Sequence, residues 1–190
     1  MKKLLVVVDM INGFAVEGVL ADPKINKITP YIIKRIENAI KTGTPIVGFR
    51  DAHDLGDEEF EHFPVHCIKG TYESQYVEEL QKYAPYMIDI EKDTTNGFIT
   101  NKFQRIIKNN DFDEVEVVGC CTDICVLNFV TSLQKHIKDN MLETKIIVQP
   151  RGVATFDNPN HNAQIYQRNA LQSMRKMGVQ VEANNYTHIM

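Results

Sequence analysis

The sequence predicts an α/β protein, a three-layer α-β-α arrangement around a mostly parallel, Rossmann-like sheet of six strands. Three observations predict it. Six short apolar runs rich in β-branched residues recur along the 190 residues. Segments with helical periodicity separate them. The runs are almost continuously hydrophobic, as suits parallel strands covered on both faces.

In chain order the strand candidates are LLVVV (4–8), PIVGF (45–49), YMIDI (86–90), VEVVG (115–119), KIIV (145–148) and VQVE (179–182), each bounded by Gly, Pro or charged residues. The first helix candidate, 26–42, repeats Ile28, Ile32, Ile36 and Ile40 and stops at Gly43, a residue suited to a helix C-terminus. Segment 72–84 carries Tyr76, Val77 and Leu80 and closes at Pro85. Phe103, Ile106 and Ile107 mark 100–109; Val126, Phe129, Val130 and Leu133 mark 124–138; Ile165, Leu171 and Met174 mark 160–177. Repeated strand–helix alternation places helices on both sides of the sheet. The chain has no repeat, linker or low-complexity tract, so a single domain over 1–190 is expected.

Composition narrows the function classes. A hydrophobic fraction of 43%, a charged fraction of 24% and a net charge of −4 fit a globular protein. They argue against a nucleic-acid binder, since no dense basic patch occurs. The opening MKKLLVVVDM begins like a signal peptide, but its apolar run ends at Asp9 without a small-residue cleavage site. No stretch approaches the ~20 apolar residues of a membrane span. A cytoplasmic protein with reduced thiols is the expectation, with no membrane or nucleic-acid partner.

In an open α/β sheet the active site lies beyond the carboxyl ends of the strands, near the switch in strand order. Here strand 1 ends in Asp9, strand 2 in Asp51 and His53, strand 3 in Glu91 and Lys92, and strand 4 in VVGCCTDICV. Only one of Glu91 and Lys92 can face inward. Three of the four cysteines fall in that last stretch. Cys120 reads as core packing. Cys125 follows the cap-type residues Thr122 and Asp123, which places it in the first turn of a helix. There the dipole favours a thiolate, and free N–H groups suit an oxyanion. Cys125 is therefore either a nucleophile or another packed thiol, and Asp9 as proton shuttle and Lys92 as charge partner weigh toward the first. The long irregular stretch 51–71 offers Asp51, His53, Glu59 and His66 as a mixed N/O ligand set, with Glu61 and His62 as rivals and the acids 57–59 equally readable as solvated.

These residues together resemble the isochorismatase-like cysteine hydrolases, within them the nicotinamidase (pyrazinamidase) branch, over nearly the whole chain. The carriers are Asp9 in VVVDM, Lys92, Cys125 in the specific motif G-x-x-T-D-x-C-V, and D-A-H followed by E-x-x-x-F-P-x-H. The resemblance implies the isochorismatase-like hydrolase fold and a catalytic set of Asp9, Lys92 and Cys125. It implies Asp51, His53, Glu59 and His66 as ligands of one divalent metal, zinc first, with manganese and iron as alternatives; Glu61 and His62 drop out. It further implies a cis peptide between Cys120 and Cys121, and oxyanion donors at Cys121 and Cys125. The activity implied is hydrolysis of nicotinamide to nicotinate and ammonia through a cysteine thioester, with the ring flanked by Phe14 and Phe63. DTTNGF after Lys92 lacks the branch's pocket tyrosine, so Phe98 or Thr94 is expected in its place beside Cys121. Another small amide or ureido substrate is the alternative, and a non-catalytic metal-binding or redox-sensing domain a more distant one. Tyr166, Met174 and Met177 would serve a homo-oligomer contact or, equally, ordinary core packing.

Overall fold

The computed structural model describes residues 1–182. All six apolar runs are strands: β1 (Lys3–Val8), β2 (Ile46–Asp51), β3 (Ile88–Lys92), β4 (Glu114–Cys120), β5 (Lys145–Ala154) and β6 (Gln180–Val181). They form one sheet in the order β3-β2-β1-β4-β5-β6. Every pairing is parallel. The order runs outward in both directions from β1, so the switch point lies between β1 and β4.

The α-helices are α1 (Asn12–Ala15), α2 (Thr29–Thr42), α3 (Glu78–Gln81), α4 (Asn101–Lys108), α5 (Leu127–Asp139) and α6 (Ala163–Met177). Alternation along β1 divides the core. Leu5 and Val7 pack with Ile32 and Ile36 of α2 and Leu80 of α3. Leu4, Val6 and Val8 face Phe103 of α4, Phe129 and Leu133 of α5, and Leu171 and Met174 of α6. That second face centres on an aromatic triad, with Phe49 5.6 Å from Phe103 and 5.5 Å from Phe129.

Several sequence expectations are corrected. The 72–84 helix shrinks to the single turn of α3. Residues 73–77 run beside the start of α1 instead, where the Glu73 and Gln75 carbonyls accept from Gly13 and Asn12 and the Val77 N–H donates to Met10. Ile40 of the α2 stripe is exposed, because each i+4 step overshoots a full turn by about 40°. β5 extends through Pro150, which has no N–H to donate; it sits where pairing with β4 breaks register between Val148 and Val153. Of the three residues read for either an oligomer contact or core, Met174 is core and Met177 packs against it, while Tyr166 stacks on His161 and stays exposed.

Candidate active site

The carboxyl ends of β1, β2, β3 and β4 meet as the strand-end residues indicate. Asp9, directly after β1, leaves the strand in the left-handed region at φ 49°, a conformation Asp tolerates better than most residues. Lys92 ends β3 and points inward, while Glu91 points out to Arg50 and Lys69. Lys92 Nζ lies 2.8 Å from Asp9 Oδ2, 2.5 Å from Asp51 Oδ1 and 4.0 Å from Cys125 Sγ. One buried cation thus faces two carboxylates and the thiol.

Such crowding in a dry setting reshapes each group's acidity. Burial pushes the Asp9 carboxyl up, Lys92 opposes it, Asp51 adds to it, and the net is a rise to about 6. Burial also works against the Asp51 carboxylate, but Lys92, His53 and His66 outweigh it and hold Asp51 well below the usual range. Lys92 is raised well above an ordinary lysine, its burial being overcome by Asp51 and Asp9. Burial pushes the Cys125 thiol well up, with Lys92 opposing and Asp9 and Asp51 adding. Burial thus works against the thiolate that the helix end was expected to favour.

The turn around Cys125 also departs from the expected cap. Residues Thr122–Val126 form a wide π-helical turn ahead of α5, in which the Val126 N–H reaches back to the Cys121 carbonyl at 3.1 Å. Neither Thr122 nor Asp123 caps it. The Thr122 hydroxyl is buried and unpaired among the described residues, and Asp123 turns instead to His161 at 2.7 Å. The Cys120–Cys121 peptide bond is cis. The turn is brought close to β1 by Gly119, at φ 121°, where an added Cβ would stand 2.0 Å from the Val8 carbonyl oxygen.

Asp51, His53, Glu59 and His66 offer ligand atoms that all lie within 4.8 Å of one another. Both histidine Nε2 atoms aim at Asp51 Oδ2, at 3.0 Å and 3.2 Å, and His66 Nε2 is 3.9 Å from Glu59. The opposite ring nitrogens are held from behind, His53 Nδ1 by Asp57 at 2.8 Å and His66 Nδ1 by the Pro64 carbonyl at 2.7 Å. Backing of this kind turns Nε2 toward a cation and fixes its tautomer, so these residues fit a divalent metal. Glu61 and His62 are exposed and stay outside the set. Asp57 was missed in the sequence, where it merged with an acidic run; its i+4 spacing from His53 was the available signal. Phe60 was missed as well, its ring 5.1 Å from that of His53 and 5.5 Å from that of His66.

A cavity of about 260 Å³ joins the two constellations, lined by Cys121, Cys125, Asp51, Glu59 and His66 together with Phe14 and Phe63. Its size suits one small ring rather than a drug-sized ligand, whose pockets run to ~300–1,000 Å³. Phe98 is corrected. The Asn96 side chain accepts its N–H and begins a tight turn, which carries the half-buried ring to Phe103, Phe129 and His136, against the core and outside the cavity lining. Thr94 lines a separate depression beyond Lys92. Thr95, Ile124 and Phe156 complete the cavity wall instead.

Comparison with known proteins gives the family. Nicotinamidase 1 of Arabidopsis thaliana is 34% identical over 179 residues, covering 84% of this chain and 72% of that protein. The crystal structure of nicotinamidase PncA from Bacillus subtilis is similar with a TM-score of 0.80 at 27% identity, covering 96% of this chain and 100% of that one. N-carbamoylsarcosine amidase from Thermoplasma acidophilum gives a TM-score of 0.78 at 29% identity, with 99% of each chain covered. The isochorismatase domain model matches residues 3–184, and on these grounds the chain belongs to the isochorismatase family.

Proposed function

We propose that this amidohydrolase converts nicotinamide to nicotinate and ammonia. The reading is carried by one observation: Asp51, Glu59 and His66 face the same small cavity as Cys125, so a ring-nitrogen anchor and a carbonyl-attacking sulfur have one volume to share. Asp51, His53, Glu59 and His66 would hold the cation, zinc by the mix of nitrogen and oxygen donors. When bound, it would supply an anchor for the pyridine nitrogen. Phe14 and Phe63 flank the ring, contacts worth ~1 kcal/mol beyond area burial.

Because burial disfavours the Cys125 thiolate, attack begins with proton transfer. Asp9 takes the Cys125 proton as the sulfur adds to the carboxamide carbon. The N–H groups of Cys121 and Cys125 receive the oxyanion, an arrangement that typically contributes ~3 kcal/mol. The intermediate collapses as the C–N bond breaks, and Asp9 returns its proton to the departing nitrogen, releasing ammonia and leaving a thioester. Asp9 next takes a proton from the incoming water. Collapse of the second intermediate breaks the C–S bond and frees nicotinic acid, the proton on Asp9 returns to sulfur, and the acid gives up its own proton to solvent or ammonia to become nicotinate. Lys92 remains charged throughout, holding Asp9 in place and facing the sulfur as it becomes negative.

Cys125→Ala should abolish ammonia release while still binding nicotinamide in calorimetry. Robust turnover in that variant would end the proposal. The likeness to N-carbamoylsarcosine amidase keeps a small amide or ureido substrate as the competing assignment. An ammonia-release panel of such compounds, run with and without chelator, separates the two: nicotinamide should lead the panel, and its KM should rise most on chelation.

A further inference from the structure

We propose that His161 is a positioning residue that locks the Cys125-bearing turn to the wall of the cavity; this rests on the place given to Cys125 in the proposed reaction. Both ring nitrogens of His161 are engaged. Nδ1 lies 2.9 Å from the Phe156 carbonyl oxygen and Nε2 2.7 Å from Asp123 Oδ2. A carbonyl oxygen can only accept, so it suits a ring N–H on that side. A carboxyl oxygen on the other side means that both edges of the ring are tied, one to each segment. The ring faces are occupied too: Phe156 stacks at 3.9 Å and 13°, Tyr166 at 3.7 Å and 24°.

The partners come from different segments. Asp123 stands in the Thr122–Val126 turn, two residues before Cys125. Phe156 follows β5 and lines the cavity, and Tyr166 belongs to α6. Asp123 and His161 are each only 12% exposed in their side chains, and neither lines the cavity. Their bond therefore contributes no contact to substrate. It joins the turn that presents sulfur and oxyanion donors to the wall against which a ring would lie. Misplacing such a turn by about 1 Å can cost ~100-fold in rate.

Two variants divide the role. His161→Phe keeps a flat ring between Phe156 and Tyr166 but removes both hydrogen bonds, whereas His161→Ala also removes the stack. His161→Phe should lower kcat by about ten- to hundredfold with KM nearly unchanged; His161→Ala should raise KM as well, as Phe156 loses its support. Hydrogen-exchange mass spectrometry should show residues 121–126 and 155–160 exchanging faster together in His161→Phe, with the sheet unaltered. Asp123→Ala should speed exchange in 155–160, a segment to which it does not belong. A folded His161→Phe enzyme with wild-type kcat, even if its melting temperature falls, would reduce His161 to a structural stack and overturn the inference. Exchange changes confined to 155–160 in His161→Phe would do the same. Wild-type failure on nicotinamide sinks the substrate assignment instead. The kcat ratio is then taken on whichever panel amide the enzyme turns over, and the exchange coupling needs no substrate.

Discussion

Asp9 is wholly buried, and neither of its oxygens receives a well-directed hydrogen bond among the described residues, although Lys92 stands 2.8 Å away. This leaves lone pairs open toward the sulfur, as a proton acceptor needs. It also makes Lys92 indispensable: stripping the cation from between two buried carboxylates would leave charge uncompensated, a change that typically costs about 3–5 kcal/mol. The acidity of Asp9 has a kinetic consequence with a definite sign. In the proposed reaction only the ionised form takes the thiol proton, and its carboxyl is raised to about 6. As pH falls through that value the base is lost, so kcat/KM should decline about tenfold per unit below it, well above the range near 3.9 where an ordinary aspartate would titrate. A pH–rate profile with its acid limb at the ordinary value would exclude Asp9 as the base. Asp9→Asn should lose both the activity and the limb.

At the scale of elements, the seam between β1 and β4 sets the distance from the Asp9 carboxylate to the turn that bears Cys125. Gly119 makes the seam possible. Its φ of 121° and the 2.0 Å separation of a built Cβ from the Val8 oxygen mean that alanine must part the strands. Gly43, at φ 68° with nothing within 4 Å, is the matched control. Gly43→Ala should cost only the left-handed penalty, about 1–2 kcal/mol. Gly119→Ala should lose distinctly more in urea unfolding, together with most of its turnover; equal losses would mean that the seam has slack. The same seam shows what can be read without coordinates. Strands β1 to β4 announce themselves by β-branched runs, and their final residues by a change to charged or sulfur-bearing side chains, so Asp9, Asp51, His53, Lys92 and Cys125 were legible. Tyr76, Val77 and Leu80 misled because their spacing fits a helix, while the hydrogen bonds that hold 73–77 as a turn and a single bridge come from Met10, Asn12 and Gly13, far away in sequence. Phe156 and residues 19–22 of the cavity wall carry no periodic signature; tertiary packing alone brings them there, as it carries Phe98 away.

Across the whole molecule, the irregular stretch after β2 folds back on itself and onto the segment that follows it. His53 pairs with Ile68 in an isolated bridge, and the Cys67 N–H donates to Glu73. The proposed metal would add the strongest of these ties, because its four ligands start on β2 and finish on His66. A cation that binds the folded chain and not the unfolded one stabilises it by mass action, about 2.7 kcal/mol at a hundredfold excess over Kd. For a chain of this size each kcal/mol moves the melting temperature by about 2–4 °C. Removing the metal with a chelator should therefore lower the melting temperature by about 5–10 °C, and adding zinc back should restore it. The loss should not be uniform: amide exchange should rise through 53–70 while β1 and β4, buried on both faces, keep their protection. Asp51→Ala should melt alike with and without chelator. If the wild-type protein does so too, the four side chains form a hydrogen-bonded cluster without a resident ion, and the anchor for the ring must be sought among Phe14, Phe63 and Phe156.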